Sequence, residues 1–267
     1  MEGEQPLLGK TILNTRGKKQ AAEFSRKIIE AGGTSIEVPL LTFQKPEESA
    51  GIEEAIKNIH TFDWLIFTSK NGVDCFFDYY DCVNEKEDHK LPLPKIAVVG
   101  TKTEQALNSK GHKAELVPDE FIAEGLFDRL RPFVKSGARF LLARGNLGRS
   151  YLVEELIKHG AQVTDLIVYE TVGNAREKER LIKLLKEKRI DIITFTSPST
   201  VKQFHKMVEQ SDWQEWTKDV IFACIGPETK KSADNLQVPI HICPANYTVD
   251  YLLTDIIAYL KEQGGEE

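Results

Sequence analysis

ARFLLARGNLGRSYLVEELIKHGAQVTDLIVYET at 138–171 is the most informative segment of the sequence, because residues 10–43 repeat its pattern at a constant offset of 128. Arg16-Gly17 falls on Arg144-Gly145, and Gly32 falls on Gly160. Each copy has a short apolar run, a segment with apolar residues at helical spacing, a glycine that ends this helix, and a second apolar run. This order is typical of a strand–helix–strand unit in a parallel sheet.

The repeat extends well beyond these two stretches. FDWLIFTSKNGVDCFF at 62–77 matches IDIITFTSPSTVKQFH at 190–205 at the same offset, and Gly100 and Thr103 fall on Gly226 and Thr229 at an offset of 126. We therefore predict an internally duplicated α/β protein with two similar lobes. A cleft between the lobes, at the carboxyl ends of the strands, is the expected ligand site. The predicted elements of the first half are strands at 10–14, 36–42, 64–68 and 96–99, and a helix at 18–31.

Composition limits the partners. The chain has 267 residues, of which 41% are apolar and 28% charged, and this supports two globular domains. The formal charge of −6 disfavours a nucleic-acid or anionic-membrane surface, since such surfaces need clustered Lys and Arg. The start of the chain is acidic, no apolar run approaches the roughly 20 residues of a membrane span, and we expect a cytoplasmic protein.

Cofactor and metal chemistry have little support in the sequence. The four cysteines show no C-x-x-C spacing, and the six histidines are scattered. No Ser-His-Asp, paired-carboxylate or nucleotide-binding glycine pattern is present. We therefore expect a protein without cofactor or metal, and cysteines that are reduced.

Four turns between strands and helices are candidate anion sites, because free amides and hydroxyls at helix starts bind carboxylates. Ordinary helix capping by the same residue types is the alternative interpretation. The candidate binding residues in these turns are Ser69, Lys70, Asn71, Gly100, Thr101, Thr103, Ser197, Pro198, Ser199 and Thr229.

Two Arg-Gly pairs and one tyrosine complete the candidates. Arg16 and Arg144-Gly145-Asn146 follow the two opening strands, and an arginine offers a bidentate fork to a carboxylate. A surface charge at a strand end is the alternative. Tyr169 carries a proton at neutral pH and could act as a general acid, although a packed strand tyrosine fits the pattern as well.

Seven short motifs follow one another over residues 8–260: Thr15-Arg16, FTSKNGV at 67–73, VVGTKT at 98–103, LLARGN at 141–146, VYET at 168–171, FTSPSTV at 195–201 and IGPET at 225–229. This ordered set resembles the uroporphyrinogen-III synthase family. The resemblance implies two flavodoxin-like lobes, one formed by 1–35 with 172–267 and the other by 45–162. It also implies a two-stranded antiparallel connector made of 36–44 and 163–171.

The resemblance implies a reaction as well. Hydroxymethylbilane, a linear tetrapyrrole with eight carboxylates, would lose water and close with ring D inverted, through a spiro-pyrrolenine. Tyr169 would assist departure of the hydroxyl, and Ser69, Thr103, Ser197 and Thr229 match hydroxyl positions that face the substrate. Porphobilinogen deaminase, which makes the substrate, is implied as a transient partner of a monomeric enzyme.

Three other interpretations stay open at this point. One is a non-enzymatic bilobal binding or sensing module for a small anionic ligand. Another is an α/β enzyme that acts on a phosphorylated or nucleotide substrate, and the third is a diverged homologue without activity.

Overall fold

The computed structural model describes residues 5–87 and 90–264, in which short strands alternate with helices. The strands are β1 (Thr11–Asn14), β2 (Thr34–Glu37), β3 (Leu41–Gln44), β4 (Trp64–Phe67), β5 (Lys95–Val98), β6 (Arg139–Gly145), β7 (Gln162–Gly173), β8 (Ile192–Phe195) and β9 (Ile221–Cys224). The helices are α1 (Lys18–Glu30), α2 (Ala50–Lys57), α3 (Lys70–Glu87), α4 (Thr101–Ser109), α5 (Ala123–Leu130), α6 (Tyr151–Lys158), α7 (Lys178–Lys186), α8 (Pro198–Val208), α9 (Trp213–Trp216), α10 (Pro227–Asp234) and α11 (Val249–Gly264). Among the helices of these described ranges, none combines the length and the apolar character needed to cross a bilayer.

The chain divides into two compact units. Unit 1 is Met1–Thr42 with Val172–Glu267, and unit 2 is Phe43–Thr171. The four-stranded sheet has the order β2-β1-β8-β9, and its neighbouring strands are parallel. The five-stranded sheet has the order β3-β7-β6-β4-β5, and β7, β6, β4 and β5 pair in parallel. The protein is therefore a mixed α/β protein built on parallel sheets.

Helices cover both faces of each sheet, so strand residues are buried on either side. On β4, Leu65 and Phe67 belong to one apolar cluster and Ile66 to the other. On β1, Leu13 and Ile12 divide between two clusters in the same way. Each large apolar side chain buried in this way contributes about 1.5–3 kcal/mol, which is why the strands consist of continuous apolar runs.

The first helix shows how the repeated pattern folds. Ala21, Phe24 and Ile28 recur at helical spacing on α1 and are fully buried. The helix ends before Gly32, whose φ of +86° favours glycine. Gly160, which lies 128 residues later, ends α6 with a φ of +93°. The duplicated glycines thus occupy the same left-handed position.

One predicted strand is wrong. The apolar run at 36–42 forms parts of two strands, with β2 in the four-stranded sheet and β3 in the five-stranded sheet. Pro39 lies between them, and since proline has no N–H to donate to a strand ladder, it interrupts the run. The predicted connector segment 36–44 is therefore not one continuous strand, whereas β7 covers the whole of 163–171.

Candidate active site

Tyr169 lies on β7, where this strand pairs with the carboxyl end of β6. The pairing shifts register between Arg144 and Gly145, so that Gly145 is the partner of Tyr169. An irregularity of this kind re-aims a side chain. The phenol oxygen of Tyr169 lies 3.3 Å from Ser69 Oγ. The sequence-predicted acid and one predicted hydroxyl, 100 residues apart in the chain, are thus in contact.

The contact between Tyr169 and Ser69 requires a residue without a side chain at position 145. A Cβ added there would lie 2.4 Å from Cζ, 2.6 Å from Cε2 and 2.8 Å from Oη of Tyr169. Real Cβ atoms do not approach ring atoms so closely, so only glycine lets the ring take this position. The Arg-Gly pair that the sequence analysis selected for its arginine thus includes a glycine with a role of its own.

Ser69 follows β4 and is oriented by the start of α3. Its Oγ accepts a hydrogen bond of 3.0 Å from the amide of Gly72, which is itself buried. With that lone pair occupied, the serine hydroxyl can donate to Tyr169 Oη. The phenol proton is then available to a bound molecule.

Asn146 holds the end of β7 in place. Its Oδ1 accepts from the Thr171 amide at 2.9 Å, and its backbone N–H donates to the carbonyl of Tyr169 at 3.3 Å. The ring of Tyr169 also meets Phe43 edge to face, with centroids 5.6 Å apart. We call Phe43, Ser69, Gly145, Asn146 and Tyr169 the Tyr169 cluster. It is drawn from β3, β6, β7 and the turns after β4 and β6.

The side chain of Arg144 forms hydrogen bonds with other groups of the protein. Its guanidinium donates to both carboxylate oxygens of Asp165, at 2.7 and 2.6 Å. It also donates to the carbonyls of Gly145 and Gly148, at 3.2 and 2.9 Å. The side chain is nearly buried. Through these hydrogen bonds it stabilises the turn that carries Gly145 and Asn146.

The other candidates of unit 2 differ in how accessible they are. Lys70 and Asn71 lie in the first turn of α3, where Lys70 is exposed and Asn71 is half-buried. Gly100 precedes α4, whose first residue, Thr101, is exposed. Thr103 is 96% buried, and its amide donates to the carbonyl of Gly100. The Thr103 hydroxyl therefore packs inside the unit, whereas Thr101 faces solvent.

Unit 1 carries the remaining candidates. Ser197 begins α8 with a capping box, since its Oγ accepts from the Thr200 amide and the Thr200 hydroxyl accepts from the Ser197 amide, both at 3.2 Å. Pro198 is the first helical residue, and Ser199 Oγ lies 3.0 Å from Ser197 Oγ. Thr229, like its counterpart Thr103, is buried.

Arg16 follows β1 and has an unsatisfied donor. Its Nη2 donates to Gln20 at 3.3 Å, and its backbone amide donates to Asn14 at 3.2 Å. The Nε atom is buried and has no hydrogen-bond partner in the described part of the chain. Burial, which outweighs attraction to Glu23, lowers the pKa of Arg16. A buried donor without a partner is uncommon in folded proteins and is suited to donate a hydrogen bond to a bound ligand.

Burial raises the pKa of the Cys224 thiol to about 12, so this group stays protonated at neutral pH. Over residues 5–87 and 90–264, no group of three or more His, Cys, Asp or Glu side chains is placed to hold a metal ion.

Several residues of the site escaped the sequence analysis. Phe43 and Asp165 contact Tyr169 and Arg144 from neighbouring strands. No local motif marks these two contacts, because each depends on the pairing of segments distant in sequence. The contact of Gly72 with Ser69, in contrast, is local and lies within the repeated FTSKNGV motif.

Known proteins match the chain over most of its length. Residues 22–254 match the family model described as Uroporphyrinogen-III synthase HemD. The chain is 34% identical to the uroporphyrinogen-III synthase of Synechococcus elongatus over 97% of its own length and 98% of the relative. It is 29% identical to the enzyme of the same name from Chlorobaculum parvum, over 88% of its own length and 93% of the relative.

Solved structures give the same fold. A mutant uroporphyrinogen III synthase of Thermus thermophilus superposes with a TM-score of 0.63 at 15% identity, and covers 95% of this chain and 100% of that one. Uroporphyrinogen-III synthetase of Helicobacter pylori superposes with a TM-score of 0.60 at 16% identity, and covers 94% of this chain and 99% of that one. With the match to the family model and to relatives over nearly the whole length, these findings show that the chain belongs to the uroporphyrinogen-III synthase family.

Proposed function

We propose that the protein cyclises hydroxymethylbilane to uroporphyrinogen III, with loss of water and inversion of ring D, in tetrapyrrole biosynthesis. The observation that carries the proposal is the 3.3 Å contact between Tyr169 Oη and Ser69 Oγ at the carboxyl ends of parallel strands. Ligands of α/β proteins bind at this edge of the sheet. The near full-length similarity to enzymes named uroporphyrinogen-III synthase supports the same conclusion.

Tyr169 serves as the general acid of the first step. Its phenol gives a proton to the departing hydroxyl, the C–O bond breaks, and water and an azafulvene cation result. Ring D attacks through its substituted carbon and forms the spiro-pyrrolenine, which fragments and closes again at the free carbon of ring D. The proton lost in this closure returns to the phenolate, so one water is the net loss. Ser69 orients the phenol throughout.

Carboxylates of the substrate bind at the helix starts. The turns at Ser69-Lys70-Asn71 and Gly100-Thr101 present backbone amides to which acetate and propionate groups are suited. The turn at Ser197-Pro198-Ser199 offers the amide of Ser199, since Pro198 has no N–H and the Ser197 amide donates to Thr200. Arg16 adds a charged donor whose buried Nε is unpaired among the described residues. Thr103 and Thr229 support these turns from inside, in keeping with their burial.

The two units are duplicated, flavodoxin-like lobes. In each, an Asp carboxylate accepts from a strand amide: Asp63 from Arg139 at 2.8 Å, and Asp191 from Thr11 at 2.7 Å. Asp63 and Asp191 are 128 residues apart, and so are Thr11 and Arg139. The strand orders β2-β1-β8-β9 and β7-β6-β4-β5 follow the same doubly wound arrangement.

The proposed lobes are 1–35 with 172–267 and 45–162, joined through the segments 36–44 and 163–171. Residues 1–4, 88–89 and 265–267 of these ranges lie outside the described residues. Porphobilinogen deaminase, as the source of hydroxymethylbilane, is the proposed transient partner of the protein.

Analysis of product isomers tests the function. Hydroxymethylbilane is generated in situ by porphobilinogen deaminase, the products are oxidised, and the porphyrin isomers are separated. We expect predominantly type III isomer, since uncatalysed closure gives type I. Type I alone, from protein shown to be folded, would refute the enzymatic function and favour a binding module.

A further inference from the structure

In both units, an exposed aromatic ring lies on a glycine. Phe121 is 55% exposed and packs on Gly100, and Tyr247 is 61% exposed and packs on Gly226. The spacing from glycine to ring is 21 residues in both units. Each ring also lies two residues before the next helix, α5 or α11. Phe121 and Tyr247 are thus equivalent positions of the repeat, although the sequence analysis did not select them.

The rings explain why the two positions are glycine. Gly100 and Gly226 have φ values of 176° and 174°, an extended conformation that any residue can adopt. The obstacle to a side chain is the neighbouring ring. A Cβ at Gly100 would lie 3.0 Å from Phe121 Cβ and 3.1 Å from its Cγ, and a Cβ at Gly226 would lie 2.8 Å from Tyr247 Cδ1. One side of each ring is therefore fixed against backbone, while more than half of the side chain stays open to solvent.

The two rings lie near the carboxyl ends of parallel strands, the edge at which α/β proteins bind ligands. Gly100 and Gly226 follow β5 and β9 at their carboxyl ends and begin α4 and α10. Single exposed apolar residues are common on protein surfaces and require no explanation. Two that recur at matched positions, each seated on a glycine at the ligand-binding edge of its sheet, differ from that background.

We propose that Phe121 and Tyr247 are substrate-binding residues whose exposed rings pack against pyrrole rings of the linear tetrapyrrole. The inference rests on the proposed function and extends it. Backbone amides and Arg16 account for the carboxylates of the substrate, but they offer nothing to its flat aromatic rings. Aromatic pairs attract in offset or edge-to-face arrangements. A ring already held on one side also loses little conformational freedom when a ligand binds.

Leucine variants of the two residues test the proposal. Phe121→Leu and Tyr247→Leu keep an apolar side chain on the glycine but remove the ring. We expect each to raise KM for hydroxymethylbilane about three- to tenfold, because an aromatic contact is lost in the bound state. The rate of type III formation is measured over a range of substrate concentrations, and thermal unfolding is followed in parallel. Phe121→Tyr and Tyr247→Phe keep the ring and are expected to keep KM close to that of the wild type.

Phe133→Leu is the matched control. Phe133 is 42% exposed in unit 2, but it packs on Trp64, the first residue of β4, at the opposite end of the sheet. This variant is expected to keep the KM of the wild type. An unchanged KM in both Phe121→Leu and Tyr247→Leu overturns the inference, as does a KM increase of the same size in Phe133→Leu. Absence of type III product from the wild-type protein is a separate outcome, because it refutes the proposed function itself.

Discussion

Gly145 determines where the ring of Tyr169 can lie, because any side chain at this position would overlap the ring. We predict that Gly145→Ala displaces Tyr169 from Ser69 and lowers the rate of type III formation. The overlap should also lower the free energy of unfolding by about 1–3 kcal/mol. Urea denaturation and the isomer assay measure the two effects. Gly51→Ala, where the added Cβ meets open space on α2, is the control and should leave the activity unchanged.

Arg144 was predicted to bind substrate, and its guanidinium is paired with Asp165 inside unit 2. We infer that this pair stabilises the turn that carries Gly145 and Asn146. We predict that Asp165→Ala lowers the free energy of unfolding by about 2 kcal/mol, because the nearly buried charge of Arg144 is left unpaired.

The exposed pair of Arg149 and Glu124 is the control for this prediction. It is also bidentate, through Nη1 and Nη2 of Arg149 at 2.9 and 3.1 Å, but both side chains are far more exposed than that of Arg144. Glu124→Ala should give no measurable change in urea denaturation, since exposed ion pairs contribute little. Equal midpoints for Asp165→Ala and the wild-type protein would contradict the structural role of Arg144.

Among the helices, α8 is preceded by Ser197, which caps the helix and is also a proposed carboxylate-binding residue. Ser197 caps the helix through the amide of Thr200. We predict that Ser197→Ala lowers the free energy of unfolding by about 1 kcal/mol. Ser150 at the start of α6 provides the comparison, because its side chain does not cap the helix. Ser150→Ala should change the midpoint of chemical denaturation less than Ser197→Ala does, and a larger change would refute the assignment.

The strands were predictable wherever an apolar run was uninterrupted. The predictions for 64–68 and 96–99 agree with β4 and β5 to within one residue at each end. The prediction for 36–42 failed because apolar character continues across Pro39 while the hydrogen-bond ladder cannot. Buried Val38 and Leu40 keep the pattern apolar between the two strands. The pattern of burial and the pattern of backbone pairing are thus separate signals.

At the scale of the whole molecule, the two units have matched cores. Phe67 on β4 and Phe195 on β8 are 128 residues apart, fully buried, and each packs edge to face on a phenylalanine of the following helix, with centroids 5.3 Å apart. We predict that Phe67→Ala and Phe195→Ala each lower the free energy of unfolding by about 3–5 kcal/mol. Equilibrium denaturation measures both values. A loss below about 1 kcal/mol for either variant would show that the two positions are not equivalent.

The sequence predicted the α/β class, the family and the turns of the site better than it predicted the contacts within the site. Tyr169 and Ser69 were each selected from their own motif, but their contact depends on the pairing of β4, β6 and β7. The register shift at Gly145 and the partner of Arg144 depend on the same pairing. Local patterns report which residues form a strand, whereas the neighbour of that strand is set by long-range packing.

The Tyr169 hydroxyl is the proposed general acid of the Tyr169 cluster, and the variant Tyr169→Phe removes it. The variant keeps the ring on Gly145 and against Phe43 but removes the hydroxyl that contacts Ser69. The measurement is the rate of type III formation from hydroxymethylbilane, with thermal unfolding as the check on folding. We predict a rate about a hundredfold lower than that of the wild type, as expected for loss of a general acid, in a protein of unchanged stability. A wild-type rate would contradict the role of Tyr169 as general acid and remove it from the mechanism.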